Sequence, residues 1–344
     1  MVRPGVHGRW LSLILISLLL SACATATQLS RRDVPKFANR TYVIVGASSG
    51  FGRGTAVRLG ALRANVVLAA RRADLLQEVA RQVEAAGGRA LVVPMDVSRP
   101  ADVDRLAAAA VGRFGRIDVW MNIAGAGAVG RFWEIPLEDQ SRVIDVNVKG
   151  VIHGSQAALR QFMRQGGGTL VNMGSVESEV PIAYHAAYAA SKAAVLSLGR
   201  AINEELRHAG YSRSIRVATV MPWAADTPFF VHNANYTGHA ARMIMLDDPR
   251  KVVDALVWVS LHPREELPVG WKAQASVSAH NLLPDLTERV AADIHRSELS
   301  KGSPVPNSTG SLYRPMPQGS GVEGGIRERR QQEDAARKAA EQPR

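Results

Sequence analysis

Short runs of uninterrupted apolar residues, each followed by a stretch with helical spacing, recur along most of this chain and leave few folds open. Strands are expected at Thr41–Gly46, Asn65–Ala70, Ala90–Met95, Ile117–Ile123, Thr169–Met173 and Ile215–Val220. Helices are expected over Gly50–Leu62, Ala73–Ala86, Ala101–Phe114, Leu137–Arg164, Ala186–His208 and Asp248–Leu261. A strand that is apolar throughout, without alternation, belongs in a parallel sheet covered on both faces. Repeated β-α units of this length wind into an open sheet through right-handed crossovers. The expected class is α/β, a single doubly wound parallel sheet with helices on both faces.

The 344 residues suffice for one large domain with extensions or for two small ones, and 46% hydrophobic content excludes wholesale disorder. The formal charge of +11 invites a nucleic-acid reading, but the arginines are spread along the chain. No aromatic-interleaved basic block or zinc-finger spacing accompanies them, so no nucleic-acid partner is expected. A polyanionic cofactor and a membrane surface account for the charge. Cys23 is the only cysteine, which excludes an intrachain disulfide and a cysteine metal cluster. No metal site is expected.

The N-terminus carries Arg3 and Arg9, an apolar run from Leu11 to Leu20, then Ser21, Ala22 and Cys23. This is a secretory signal pattern, too short to span a bilayer comfortably, which takes about 20 apolar residues. Leu20-Ser21-Ala22-Cys23 also resembles the lipobox of bacterial lipoproteins, whose cysteine becomes a lipidated N-terminus. Two outcomes stay open: lipid anchoring at Cys23, or an uncleaved N-terminal anchor, with the membrane face undetermined. The expected organisation is a signal or anchor segment and linker over 1–37, the folded domain over 38–300, and a disordered tail over 301–344. That tail is rich in Gly, Pro and Ser to Gly325, then mostly charged or Ala.

Tyr188-Ala-Ala-Ser-Lys192 places a phenol and an ammonium on one helix face. Lys192 is expected to favour the Tyr188 phenolate, making one acid/base unit. Gly46-Ala-Ser48-Ser49-Gly50-Phe51-Gly52 lies where the first strand gives way to the first helix. Such a turn brings backbone N–H groups close to a pyrophosphate at the helix N-terminus. Gly125-Ala-Gly127-Ala-Val-Gly130 follows the fourth strand and is read as a loop lining the same cleft, because Phe132 and Trp133 delay the next helix. The second strand ends in Ala70-Arg71-Arg72, with no carboxylate to meet a ribose 2′-hydroxyl. Arg71 can pair with a 2′-phosphate and Arg72 can stack on adenine, so NADP(H) is the expected cofactor.

Together these motifs resemble the short-chain dehydrogenases/reductases, over about Arg40 to Ala275 and in the family's order. The resemblance implies a Rossmann-like domain and a catalytic tetrad of Asn147, Ser175, Tyr188 and Lys192. It implies that Tyr188 exchanges the proton on the substrate oxygen while hydride moves to or from the nicotinamide, and that Ser175 hydrogen-bonds that oxygen. Lys192 would also bind the nicotinamide ribose, and Asn147 would hold a water linking Lys192 to solvent. Cofactor contacts are implied at Gly46, Ser48, Ser49, Gly50, Phe51, Gly52, Arg71, Arg72, Asp96 (adenine), Asn122, Ala124, Gly125, Tyr188, Lys192, Pro222 and Thr227. The family also implies a homo-oligomer. Two departures stand out: Val45 where the family usually has Thr, and Trp223 where Gly usually follows Pro222.

The expected activity is therefore an NADP(H)-dependent interconversion of a carbonyl compound and a secondary alcohol. The aromatic segment with Trp223, Phe229, Phe230, His232, Tyr236 and Met243 suggests an apolar substrate. The alternative is a membrane-tethered, non-catalytic nucleotide-binding or scaffold protein of the same fold, which has no physical need for four intact catalytic groups. A sugar-nucleotide epimerase would share Tyr-x-x-x-Lys but usually carries G-x-x-G-x-x-G and a larger C-terminal substrate domain.

Overall fold

Strands buried on both faces need helices on both sides, and the structure supplies them. The computed structural model describes residues 27–341; Cys23 and the apolar N-terminal run lie outside them. Strands β1 (Thr41–Val45), β2 (Asn65–Ala70), β3 (Arg89–Pro94), β4 (Val119–Asn122), β6 (Gly168–Met173), β7 (Ile215–Pro222) and β9 (Glu266–Val269) form one sheet in the order β3-β2-β1-β4-β6-β7-β9. Every neighbouring pair is parallel. Two-residue strands β5 (Ala128–Val129) and β8 (Ala234–Asn235) pair separately.

On one face lie α1 (Gly50–Ala61), α2 (Ala73–Ala85) and, later in the chain, the helix Pro249–Val259, packed through Leu59, Leu76, Val83 and Leu256. The other face carries α3 (Pro100–Phe114), α5 (Gly150–Gln165) and α6 (Ala186–His208), packed through Leu106, Phe162 and Leu206. The stretch expected as one helix over Leu137–Arg164 is α4 (Leu137–Ile144) and α5 joined by a π-turn, Asp145–Lys149. Such widened turns are often found at functional sites, and this one carries Asn147. After the sixth expected strand come α7 (Pro249–Val259), β9, and two consecutive helices that pack on each other, α8 (Gly270–Leu282) and α9 (Pro284–Leu299). The Asp248 side chain caps α7 by accepting from the Arg250 amide at 2.8 Å.

At both expected domain edges the structure shows packed residues. Phe37 is fully buried and stacks on Tyr42, with ring centroids 6.1 Å apart, so the core begins before residue 38. The tail expected to be disordered is packed on the body and ends in α10 (Ile326–Glu341). Its composition offers little apolar surface; ion pairs and backbone hydrogen bonds hold it instead. The buried Arg242 guanidinium meets Glu333 at 2.6 Å, Asp334 at 2.8 Å and Glu298 at 3.5 Å. The Asp226 carboxylate accepts from the Ile326 and Arg327 amides at 2.9 and 3.2 Å, capping α10.

Removing one member of a buried ion cluster leaves its partners uncompensated, typically at a cost of about 3–5 kcal/mol. Arg242→Met should therefore lower stability by a few kcal/mol (roughly 3, allowing for the partly exposed Asp334) and release α10. Chemical denaturation with hydrogen exchange over 326–341 checks this, and wild-type values in both would refute it.

Candidate active site

The chain leaves β1 and β4, neighbours in the sheet, toward opposite edges, and a crevice opens beyond their carboxyl ends. Two glycines let the turns after these strands close up. Gly46 has φ +101°, and a Cβ there would lie 2.6 Å from the Ala124 amide nitrogen. A Cβ on Gly52 would lie 2.1 Å from the Gly46 carbonyl oxygen. Ser49 makes no side-chain cap to α1, leaving the helix N-terminus to a ligand or another chain segment.

The crevice is a cavity of about 1350 Å³. Gly46, Ser48, Ser49, Gly50, Phe51 and Gly52 border it at one place, Ala124 and Gly125 at another, and Pro222 and Thr227 across from them. At the far end lie Arg71, Arg72 and Asp96. Arg72 donates to Ser48 Oγ at 3.2 Å. Asp96 is committed within the protein: it accepts from the Ser98 amide and hydroxyl and pairs with Arg142 at 2.8 Å. Asn122 does not reach the cavity. Its side chain accepts from Trp120 Nε1 at 2.8 Å and donates to Asn172 Oδ1 at 2.9 Å, beneath α5, so its role is to satisfy buried polar groups between strands.

Along α6, Lys192 is buried and Tyr188 half-buried, and both border the cavity with Ser175. Lys192 Nζ donates to the Met173 carbonyl at 2.7 Å and stands 5.6 Å from the Tyr188 ring centre. Ser175 follows β6 and caps a short turn, accepting from the Glu177 amide at 3.1 Å. Asn147 grips the Ala126 peptide, accepting from its N–H and donating to its carbonyl, both at 2.8 Å, and also donates to Ser191 Oγ. A Cβ on Gly125 would sit 3.6 Å from Asn147 Oδ1 and 3.7 Å from Lys192 Nζ. The four tetrad residues thus gather around one end of the cleft.

The electrostatics differ from the sequence expectation. Burial pushes the Tyr188 phenol well above the ordinary tyrosine range, the Glu177 carboxylate pushes it further, and the nearby Ser175 hydroxyl pulls the other way. Lys192 is held on the Met173 carbonyl. Burial draws the Lys192 ammonium down to about 8, and Glu177 opposes that fall.

Glu177 is the residue that the sequence reading missed. Its carboxylate accepts from His185 Nδ1 at 3.0 Å, and the His185 ring meets His295 edge-on at 4.7 Å. His295 comes from α9, is buried, and has no hydrogen-bond partner for Nε2. All three border the cavity. The only signal in the sequence was a carboxylate two positions beyond Ser175. The remaining wall is mostly apolar, with Phe229, Phe230, Met243, Trp271, Leu286 and Ile294, and α8 and α9 add polar groups such as Gln274, Asn281 and Thr287. Trp223 also lines the cleft and donates to the Met245 carbonyl at 3.2 Å.

Because Glu177 raises both Tyr188 and Lys192, Glu177→Gln should lower both. Any rate that follows the Tyr188 phenolate should then shift its pH limb to lower pH. A pH–rate profile checks this; an unmoved limb would show that Glu177 acts only on local packing.

The model of the short chain dehydrogenase family matches residues 40–236. An uncharacterized oxidoreductase of Bacillus subtilis, YxnA, is 30% identical over 288 residues, covering 83% of this chain and 80% of its own. The 3beta-hydroxysteroid dehydrogenase 1 of Eggerthella lenta is 39% identical over 191 residues, covering 55% of this chain and 72% of its own. Among solved structures, a short-chain dehydrogenase/reductase from Burkholderia phymatum in complex with NAD aligns with a TM-score of 0.63 at 26% identity, covering 73% of this chain and 96% of its own. An alcohol dehydrogenase from the archaeon Thermococcus sibiricus complexed with 5-hydroxy-NADP aligns with a TM-score of 0.57 at 26% identity, covering 67% and 95%. With the sheet order, the glycine turn and the Tyr188–Lys192 pair already in place, these matches identify the chain as a member of the short-chain dehydrogenase/reductase family.

Proposed function

We propose that the protein is an NADP(H)-dependent oxidoreductase interconverting an apolar carbonyl compound and its secondary alcohol. The observation that carries this reading is one cleft with Ser175, Tyr188 and Lys192 at one end and Arg71 and Arg72 at the other. The end of β2 offers no carboxylate to repel a 2′-phosphate. The turn from Gly46 to Gly52 and the N-terminus of α1 suit a pyrophosphate, and the cleft is large enough for a dinucleotide and a substrate together. The bound dinucleotide supplies or accepts the hydride. Tyr188 then exchanges the proton with the substrate oxygen at its phenol, Ser175 hydrogen-bonds that oxygen, and Lys192 supplies positive charge beneath them. Asn147 fixes the Ala126 peptide and thereby the loop beside Lys192.

The apolar wall of Phe229, Phe230, Leu286 and Ile294 supports a hydrophobic substrate. The steroid alcohol in the name of the Eggerthella lenta relative is of that character. Tyr188→Phe should retain NADPH binding by fluorescence titration and lose at least ~10²-fold in turnover. Wild-type NADPH should bind about tenfold or more tightly than NADH, the scale of one charge-assisted phosphate contact. Equal affinities would overturn the cofactor assignment, and normal turnover by the Phe variant the catalytic one.

Attachment to a membrane through the N-terminal segment belongs to the same proposal and rests on the apolar run before Cys23. Among the described residues no helix is long and apolar enough to cross a membrane. Acylation at Cys23 would need two or more chains for stable retention. Intact-protein mass spectrometry of membrane fractions is expected to find either a chain beginning at acylated Cys23 or one retaining Met1. Recovery of all the protein in the soluble fraction would refute attachment.

A further inference from the structure

Residues beyond α9 return across the far end of the cleft and bind to the very groups expected to meet the nucleotide. Arg71 donates to the Ser311 carbonyl at 2.7 Å and to the Leu312 carbonyl at 3.3 Å. Arg72 donates to the Met316 carbonyl at 3.1 Å, Arg53 to the Ser320 carbonyl at 2.9 Å, and the Gly50 amide to the Gly321 carbonyl at 2.9 Å. The crossing is pinned at both ends. Ser308 and Asn235 exchange backbone hydrogen bonds at 2.7 and 3.0 Å, and the Gly324 amide donates to the Asp226 carbonyl at 3.1 Å. Between these pins Leu312 is buried against Ile135, Val143 and Ala234.

The segment roofs the cleft and does not fill it. Ser311, Leu312, Pro315 and Met316 border the same open cavity as Arg71, Arg72 and Asp96. From this we infer that residues 308–325 are part of the cofactor site: a strap that encloses the adenosine end of the bound dinucleotide and must lift for it to enter or leave. The inference rests on the nicotinamide-cofactor reading above. It gives the arginines a double role, since the guanidinium groups that face the nucleotide also hold the strap through carbonyl oxygens. Carbonyl acceptors suit a reversible closure, because water can replace them when the strap lifts. Leu312 supplies the apolar anchor that returns it. Enclosure of this kind acts mainly on dissociation.

The test uses the full-length protein, with hydrogen exchange followed over 308–325 and NADPH or NADH added. Either nucleotide, once bound, should slow exchange of the Ser308, Ser311 and Gly324 amides at least tenfold. In stopped-flow fluorescence, Leu312→Ala should release NADPH at least tenfold faster than wild type. Exchange that is unchanged or faster with bound nucleotide would overturn the strap, as would an unaltered release rate in the variant, while leaving the cofactor reading intact. Should the variant fold poorly, the exchange measurement on the wild-type chain decides alone. If neither nucleotide binds in the titration, the cofactor reading itself fails and the strap falls with it.

Discussion

The close approach of Gly46 to Ala124 is the contact on which the site depends. It joins the turns that follow β1 and β4, the two neighbouring strands from which the chain departs in opposite directions. A side chain at position 46 would have to occupy the place of the Ala124 backbone. With the turns in contact, the N-terminus of α1 and the loop of Gly125 and Ala126 meet at the mouth of the crevice. Asn147 then ties the Ala126 peptide to α6 through Ser191, and α6 carries Tyr188 and Lys192. Geometry at the glycine turn is thus passed to Tyr188 and Lys192 through two short polar links.

The buried charges at the Tyr188 end of the cleft depend on more than the four expected residues. A phenol and an ammonium taken from water both move toward their neutral forms. Glu177 keeps Lys192 from losing its proton more readily, yet it opposes ionisation of Tyr188. A single carboxylate, itself paired with His185, therefore serves one partner at the expense of the other. The cationic nicotinamide ring of an oxidised cofactor would add positive charge near this group and favour the phenolate.

The sheet was legible because its strands are buried on both faces, so uninterrupted apolar runs such as Asn65–Ala70 and Thr169–Met173 fall on the observed strands nearly residue for residue. The glycine turn and the Tyr188–Lys192 spacing were legible for a related reason: each is short-range, with its partners a few positions away. The resemblance carries Asn122 over by motif alone, whereas its side chain is held by Trp120 on its own strand and by Asn172 on the next, contacts that only the assembled sheet reveals. The direction of the Tyr188 shift depends on Glu177 and on burial, both properties of the assembled fold. The tail was illegible for a different reason. Its order comes from Arg242, Asp226 and the cleft arginines, which lie 70 or more residues away and whose pairing no local composition encodes.

The family match ends at residue 236, while the walls of the cavity continue through α8, α9 and the strap. Tyr188 and Lys192 thus lie within the matched stretch, whereas the enclosing surface is divided between that stretch, at Phe229 and Phe230, and the residues that follow it. On the proposed reading the reacting groups fall in the matched stretch, and α8, α9 and the strap, which follow it, would shape what the cleft admits. A relative that shares the matched stretch alone need not share the walls of this cavity.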